Sequence, residues 1–188
     1  MSVNLLLGIG NIGEKYAGTR HNAGFMIARK FVEKHNGQSV KKFKHSQVWE
    51  CEVLGKKIAV CQPNTYVNLS GIAAKELFEF YSITEENMLV AVDDFNLNLA
   101  TMRFRQNGSD GGHNGLKSLL ENCPKNFARL RFGIGPLPKE TSIIDFVLGK
   151  FSEEELKVVN EKLEMAVEAI ESYFEFGIAV TMNKYNSK

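Results

Sequence analysis

The sequence lacks a long apolar run, because no stretch approaches the roughly 20 apolar residues that a membrane-spanning helix needs. It also lacks a basic leader with a cleavage site, since the stretch from Met1 to Gly8 leads directly into Gly10 and Gly13. We therefore expect a cytoplasmic protein that makes no contact with a membrane.

Cysteines and histidines are few and lack the spacing of a metal site. The cysteines are odd in number and form no CxxC pair, which argues against a disulfide framework. They are Cys51, Cys61 and Cys123. The histidines form no HExxH motif, and the closest two in sequence, His35 and His45, are ten residues apart. We expect buried thiols, no metal ion and no cofactor.

An excess of charge of one sign is also missing, because the net charge is only +1. This average conceals an asymmetry. Residues 1–140 contain 18 Lys and Arg against 13 Asp and Glu, a balance of +5, whereas residues 141–188 contain 5 against 9, a balance of −4. The first segment therefore has enough basic residues to form a local basic face without a high isoelectric point. A solvated helix face explains the acidic segment equally well.

The chain is predicted to fold as one domain over residues 1–188, a length that can bury one substantial core. Apolar runs predict strands at 3–9, 48–53, 58–62, 88–92, 101–105 and 128–134. Helical spacing predicts helices at 22–35, 72–81, 114–121, 152–176 and 178–185. Strands interleaved with helices indicate an α/β fold, and the hairpin with Gly55 in its turn indicates a mixed sheet.

Three helix starts carry residues that commonly cap helices. Asn22 and Ser70 are predicted caps of the first two helices, and Ser152 with Glu155 matches a capping box. The loop before residue 114 contains glycines at 108, 111 and 112, and we call residues 108–112 the glycine loop. These glycines indicate an unusually bent connection.

Gly8, Gly10 and Gly13 have the GxGxxG spacing of a dinucleotide-binding loop. In that motif the third glycine lies in the first turn of a helix, whereas residues 16–20 here precede any helical periodicity. No acidic residue closes a second strand about 20 residues further on. The spacing alone therefore gives weak support to a nucleotide cofactor.

Polar side chains follow several predicted strands, at the edge where α/β sheets bind ligands. These residues are Asn11, Tyr16, Arg20, His21, Asn22, Asn64, Thr65, Tyr66, Asn68, Asp93, Asp94, His113 and Asn114. A carboxylate at one strand end could accept the Nδ1 hydrogen bond of a histidine at another, which would fix the tautomer and raise the basicity of the imidazole. For His21 taken alone, a capping or surface role is the simpler interpretation. The chain has no serine in a GxSxG motif and no cysteine beside these loops, so water is the favoured nucleophile.

Five motifs together resemble the bacterial peptidyl-tRNA hydrolase family, in the same order and over residues 4 to about 150. They are GNIGEKYAGTRHNAGF, QPNTYVNLSG, VDDFNL, GSDGGHNGLKSL and RLRFGIG. The resemblance implies a monomeric α/β fold with a twisted mixed β-sheet flanked by helices. It also implies hydrolysis of the ester between a peptide and the 3′ ribose of tRNA.

The same resemblance implies roles for individual residues. The catalytic histidine corresponds to His21, its supporting carboxylate to Asp93, and the asparagine that distinguishes blocked from free amino ends to Asn11. Residues of the substrate cleft correspond to Tyr16, Tyr66, Asn68 and Asn114. Family members usually have Met in the position of Val67 and Lys in the position of Gln62, so we expect substrate contacts at these two positions to differ here.

A tRNA substrate requires contacts to phosphate groups, for which basic residues on or near these loops and strands are available. They are Lys15, Arg20, Arg103, Arg105, Lys117, Lys125, Arg129 and Arg131. Arg105 and Arg131 are the favoured phosphate contacts, although each is equally compatible with an ordinary solvated charge. Two other functions stay open at this point: an RNA-binding protein without catalysis, and a nucleotide-dependent oxidoreductase that uses the three glycines.

Overall fold

The computed structural model describes residues 3–186, within which seven strands form one mixed sheet. The strands are β1 (Asn4–Gly8), β2 (Gln38–Val40), β3 (Ser46–Val53), β4 (Lys56–Pro63), β5 (Met88–Asn98), β6 (Met102–Arg105) and β7 (Ala128–Gly135). Their order across the sheet is β2-β3-β4-β1-β5-β7-β6. The four central strands β4, β1, β5 and β7 are parallel, whereas β2, β3 and β6 pair antiparallel with their neighbours. The predicted mixed α/β sheet is therefore confirmed.

Helices cover both faces of this sheet. They are α1 (Ala23–Lys34), α2 (Ser70–Tyr81), α3 (Asn114–Asn122), α4 (Ile143–Leu148) and α5 (Glu153–Tyr185). Along β1 the side chains alternate between two buried clusters, because successive residues of a strand point to opposite faces. Leu6 packs in the cluster that contains residues of α1 and α5, while Leu5 and Leu7 pack with residues of α2 and α3. A continuous apolar strand is thus required in the centre of this sheet.

Several element boundaries differ from the predictions. The strand predicted at 88–92 corresponds to β5, which continues to Asn98 because it pairs with β7 as far as Asp94 and again at Asn98. Strand β2 and helix α4 were not predicted. Within α5, Gly177 has φ 81° and interrupts the helical backbone, so the predicted separate helix at 178–185 continues α5 beyond a kink.

Of the three predicted caps, only the capping box of Ser152 and Glu155 is present. Asn22 occupies the position before α1 but its side chain makes no capping bond, and instead it contacts the backbone of Asn11. Ser70 is the first residue of α2 and its hydroxyl donates to the carbonyl of Val67. Both predictions of a cap were wrong because tertiary and local partners compete for these side chains.

Two glycines allow helices to approach close neighbours. A Cβ atom on Gly24 would overlap backbone atoms of Ile9 and Ala91, so only glycine lets α1 begin against the ends of β1 and β5. A Cβ atom on Gly71 would overlap the carbonyl of Ser118, where α2 crosses α3. Among the helices of residues 3–186, none has the length and apolar character required to cross a membrane.

Candidate active site

The site lies at the carboxyl end of β1, in the centre of the sheet, beside Asp93 of β5, which continues beyond the last residue of β1. After β1 the chain forms two short 3-10 turns, Glu14–Tyr16 and Arg20–Asn22, before α1 begins. His21 belongs to the second turn, which the close approach of Gly24 holds against the strand ends. The carboxyl edge of a parallel sheet is the usual place for ligands in α/β folds.

Two histidines converge on one buried carboxylate. Nδ1 of His21 lies 3.0 Å from both oxygens of Asp93, and Nε2 of His113 lies 3.0 Å from Asp93 Oδ1. The Asp93 side chain is only 1% exposed, and the two imidazole rings are 4.8 Å apart between centroids. The predicted pairing of His21 with Asp93 is thus present in the geometry, and His113 is a second partner that the predictions did not specify.

The hydrogen bonds determine which nitrogen of each ring carries a proton. Nδ1 of His113 accepts from the backbone amides of Gly115 and Leu116 at the start of α3, so it is unprotonated and Nε2 donates to Asp93. Nδ1 of His21 likewise donates to Asp93. In the neutral form of His21 this leaves Nε2 as an unprotonated acceptor, which is the state that a general base requires.

The environment shifts the pKa values of this pair in opposite directions. Burial acts to lower the pKa of His21, but the negative charge of Asp93 and the hydrogen bond to it raise that pKa above its ordinary value of 6.5. Burial acts to raise the pKa of Asp93, but the two histidines and their hydrogen bonds together hold it well below its usual range. Asp93 is therefore ionised at neutral pH despite its burial.

The same three side chains have the composition of a possible metal site. Ligand atoms of His21, Asp93 and His113 all lie within 4.8 Å of one another. Imidazole nitrogens and a carboxylate suit Zn²⁺. Each nitrogen that faces Asp93 is, however, already accounted for by a hydrogen bond to that carboxylate, so the donor set fits a proton-bridged arrangement without a metal ion.

A cavity of about 400 Å³ opens over the two histidines. Its polar wall contains His21, Asp93 and Asn114, and Arg131 lies at one side. Its apolar wall includes Ile143 and Ile144 of α4, which are 48% and 68% exposed. Four of the predicted site residues, His21, Asp93, Asn114 and Arg131, thus meet in one cavity that is large enough for a small organic group.

Asn11 lies in an adjacent position rather than in this cavity. Its backbone forms two hydrogen bonds with the side chain of Asn22, and its Oδ1 accepts from the amide of Val67. These bonds orient the carboxamide of Asn11. Within residues 3–186 no hydrogen bond uses its Nδ2, which remains available as a donor. Val67 in turn contacts Gly115 beside His113, so Asn11 is joined to the histidines through two packed residues.

The remaining predicted cleft residues lie around the loops at this edge. Tyr16 and Tyr66 form an edge-to-face pair with ring centroids 6.4 Å apart, and Tyr66 is 52% exposed. Asn68 is exposed in the 3-10 turn Val67–Leu69 that precedes α2. These three side chains line neither of the cavities that flank residues 21 and 22.

Arginines share one face of the sheet at the β6–β7 edge. Arg103 pairs in register with Arg131, and Arg105 with Arg129, so all four side chains project from the same face. We call this surface of β6 and β7 the arginine face. Arg131 is 32% exposed and bonded to Asp94 at 3.0 Å, whereas Arg105 is exposed.

Two of the candidate phosphate contacts are unavailable. Arg129 is buried and donates to the carbonyl groups of Gly108 and Ser109, which holds the glycine loop. Arg20 pairs with both oxygens of Glu155, at 2.8 and 2.6 Å, and also bonds the carbonyl of Lys150. These residues hold parts of the fold together instead of presenting free charge.

The glycine spacing does not form a dinucleotide site. Between Gly8 and α1 the chain runs through residues 9–22 with its two 3-10 turns, so Gly13 precedes a 3-10 turn and does not open an α-helix. Gly10 packs against Asn22 and Phe25 instead of leaving room for a pyrophosphate.

Comparison with known proteins identifies the family. A family model described as "Peptidyl-tRNA hydrolase" matches residues 5–188. The chain belongs to the peptidyl-tRNA hydrolase family. It is 41% identical over 185 residues to the peptidyl-tRNA hydrolase of Parabacteroides distasonis, covering 98% of both chains. It is 38% identical over 186 residues to that of Mycoplasma mycoides subsp. mycoides, covering 98% of this chain and 100% of the relative.

A solved structure of the family has the same fold. The crystal structure of peptidyl-tRNA hydrolase from Acinetobacter baumannii superimposes with a TM-score of 0.91 at 31% identity, covering 98% of this chain and 95% of that chain. The resemblance stated on the five sequence motifs and the predicted fold class are therefore confirmed. The sequence predictions for this peptidyl-tRNA hydrolase missed the contact between His113 and Asp93. The two polar residues that directly follow the glycine loop, His113 and Asn114, were a signal for it.

Proposed function

We propose that this member of the peptidyl-tRNA hydrolase family cleaves the ester between a peptide and the 3′ ribose of tRNA, with His21 as the general base. The observation that carries the proposal is the contact of His21 Nδ1 with the buried carboxylate of Asp93. This contact leaves Nε2 of His21 free to take a proton beside an open cavity.

The reaction then follows from the positions of the protons. His21 Nε2 takes a proton from water as the water oxygen attacks the acyl carbon, and Asp93 stabilises the imidazolium that forms. When the tetrahedral intermediate collapses, the ester C–O bond breaks and the imidazolium returns the proton to the 3′ oxygen of the ribose. The products are a peptide with a free carboxyl group and an intact tRNA.

His113 acts as a positioning residue in this scheme. Its Nε2–H donates to Asp93, and its Nδ1 is held by the first amides of α3. The carboxylate therefore has two fixed donors, which restrain its orientation toward His21. Supporting hydrogen bonds of this kind keep a catalytic pair in its productive geometry.

Carboxamide groups supply donors for the oxygen that becomes negative during attack. Asn114 lies in the cavity wall beside His113, and Asn11 has an Nδ2 that no residue within 3–186 occupies. A well-placed donor to an oxyanion contributes roughly 3 to 4 kcal/mol to stabilisation of the transition state. We assign the oxyanion contact to Asn114 because it shares the cavity with the base, and contacts to the peptide to Asn11, Asn68, Tyr16 and Tyr66.

The tRNA part of the substrate is placed on the arginine face of β6 and β7. Arg131 borders the catalytic cavity and Arg105 lies further along the same face, where both could contact phosphates. The proposal also includes a monomeric enzyme that works in the cytoplasm, where translation supplies its substrate, and that needs neither metal nor cofactor for the bond cleavage.

The test is turnover of N-acetyl-aminoacyl-tRNA by the His21→Ala variant. We expect turnover to be abolished, because a positioned proton acceptor contributes about 10²- to 10⁴-fold, while folding and tRNA affinity are retained. His45→Ala is the matched control, since His45 lines neither cavity at the site. Turnover by His21→Ala near the wild-type rate would refute the role, and a wild-type protein that binds tRNA without cleaving the ester would support the RNA-binding alternative.

A further inference from the structure

Arg129 of β7 is a buried charge that takes no part in the catalytic steps described above. The residue is only 2% exposed, and within residues 3–186 no carboxylate forms an ion pair with it. Burial lowers the pKa of its guanidinium, and the nearby charge of Arg131 lowers that pKa further. Because a buried charge without a carboxylate partner is unfavourable for a fold, its presence indicates a role beyond packing.

Two backbone carbonyls receive the hydrogen bonds of this guanidinium. Nη1 of Arg129 donates to the carbonyl of Ser109 and Nη2 to that of Gly108, both at 2.5 Å. Both carbonyls belong to the glycine loop, which lies between β6, at the edge of the sheet, and α3. Within residues 3–186 no other hydrogen bond joins residues 108–112 to the sheet. Arg129 is therefore the polar anchor of this loop.

The glycine loop has little else to restrain its shape. Gly108, Gly111 and Gly112 have φ values of 151°, 59° and 81°, and all three are exposed. Glycine adopts many backbone conformations besides these, and a segment with exposed backbone and few buried contacts opens easily. A fixed donor beneath the loop is thus needed to hold it in one conformation.

The loop leads directly to the carboxylate that supports the proposed base. The carbonyl of Asp110 accepts the backbone N–H of His113 at 3.0 Å, and Nε2 of His113 lies 3.0 Å from Asp93 Oδ1. Residues 110–112 also line the catalytic cavity, whereas Arg129 does not. A displacement of the loop would therefore move the second donor to Asp93 and one wall of the cavity together.

We propose that Arg129 is a positioning residue for the ester hydrolysis: by holding the glycine loop, it keeps His113 on Asp93 and the cavity wall in place. This assignment rests on the proposed function. A purely structural role would lower the stability of the fold without changing turnover by the folded protein. A positioning role changes kcat as well, because a misplacement of about 1 Å caused far from the chemistry can lower the rate about 10²-fold.

The test measures three properties of each variant: kcat and KM for N-acetyl-aminoacyl-tRNA, thermal unfolding, and the NMR signal of the His113 Nε2 proton. Arg129→Met removes the donors and keeps a long side chain, whereas Arg129→Lys keeps the charge but replaces the planar fork with a point charge. Tyr173→Phe is the matched control, because the Tyr173 hydroxyl contacts the carbonyls of Glu86 and Met88 at the opposite, amino end of β5. The control therefore loses buried contacts to carbonyls without touching the glycine loop.

We expect Arg129→Met to lower kcat about 10²-fold with little change in KM. Its His113 proton signal should broaden or disappear, because a proton released from Asp93 exchanges with water. Arg129→Lys should lower kcat about ten-fold and lie between Arg129→Met and wild type in the proton signal. Tyr173→Phe should unfold at a lower temperature but keep the kcat and the proton signal of wild type.

An unchanged kcat in folded Arg129→Met, or equal losses of kcat in Arg129→Met and Tyr173→Phe, would overturn the positioning role. If Arg129→Met does not fold, Arg129→Lys decides, and a wild-type kcat with an unchanged His113 signal in that variant would overturn the role. Failure of the wild type to cleave the ester would overturn the proposed function instead. In that case loss of the His113 signal in the Arg129 variants would still support the anchoring of His113, and its retention would overturn it.

Discussion

Replacing Asp93 by Asn tests the catalytic proposal most directly, because it keeps the volume of the side chain and removes its charge. The carboxylate accepts hydrogen bonds from two imidazoles, whereas an amide has one acceptor oxygen and one NH₂ group. If the NH₂ group faces His21, Nδ1 of that ring must become the acceptor and the proton moves to Nε2. The base is then in the wrong tautomer to take a proton from water.

The expected loss of kcat is about 10³- to 10⁴-fold, by analogy with the Ser-His-Asp triad, where the same substitution lowers kcat about 10⁴-fold through the wrong tautomer. The pH profile should change as well. His21 must be neutral to act, so kcat/KM of the wild type falls as the pH drops through a pKa that lies above 6.5. Without the negative charge only burial remains, and the acid limb of the variant should move below pH 6.5.

His21 and Asp93 also make the stability of the fold depend on pH. The raised pKa of His21 stabilises the fold fully below its ordinary value of 6.5, and this contribution is lost as the pH rises through the raised value. The lowered pKa of Asp93 stabilises the fold above its ordinary value of 3.8, and this contribution is lost as the pH falls through the lowered value. The wild type should therefore exceed Asp93→Asn in stability most clearly between pH 3.8 and 6.5.

Single-turnover cleavage of N-acetyl-aminoacyl-tRNA between pH 5 and pH 9 measures both effects on activity. Asp94→Asn is an informative companion, because Asp94 is also buried but contacts Arg131 and Asn96. It should alter KM through Arg131 more than it alters kcat. A kcat of Asp93→Asn within about ten-fold of wild type, together with an unshifted acid limb, would contradict the role of Asp93 as the partner of the base.

Two further pairs of substitutions test the structural roles described above. Gly71→Ala places a methyl group against the carbonyl of Ser118 and should lower the free energy of unfolding in urea by about 1 to 3 kcal/mol. Ile72→Ala, at an exposed position of the same helix, should change it by less than about 0.5 kcal/mol. Equal effects of the two substitutions would contradict the close contact between α2 and α3. Arg131→Ala should reduce the salt dependence of log Kd for tRNA by about one unit of slope, because Arg131 is 32% exposed and uses its Nε in the ion pair with Asp94. Arg20→Ala should leave that slope unchanged while lowering stability, because both Nη nitrogens of Arg20 are bonded, to Glu155 and to the carbonyl of Lys150. A change of slope for Arg20→Ala would show that it contacts phosphate.

The predictable parts of the fold are those whose sequence pattern lies within one short, continuous stretch of the chain. The apolar run of β1 predicts a strand buried on both faces, and the glycine at position 55 predicts the β3–β4 turn, where Leu54 and Gly55 have φ of 51° and 71°. Helix α4 was missed because it is six residues long and exposes Ile143 and Ile144, so no buried stripe marks it.

The site was predictable as a set of residues but not as a set of contacts. Polar residues after strands marked His21, Asp93 and Asn114 as neighbours, and the family motifs assigned their roles. The second histidine on Asp93, by contrast, depends on how the glycine loop turns before α3, which only the folded chain defines. Arg20 resembled a free phosphate contact because its partner, Glu155, lies 135 residues away in sequence.

The burial of Cys51 and Cys61 and the partial burial of Cys123 have a practical consequence for experiments with this enzyme. Burial raises the pKa of Cys51 to about 11 and the pKa values of Cys61 and Cys123 to about 12. Since the thiolate is the reactive form, only about one Cys51 in 10³ is ionised at pH 8. A single cysteine introduced at the protein surface would therefore take up a maleimide dye far faster than the native ones, so a fluorescent reporter can be attached without first removing them.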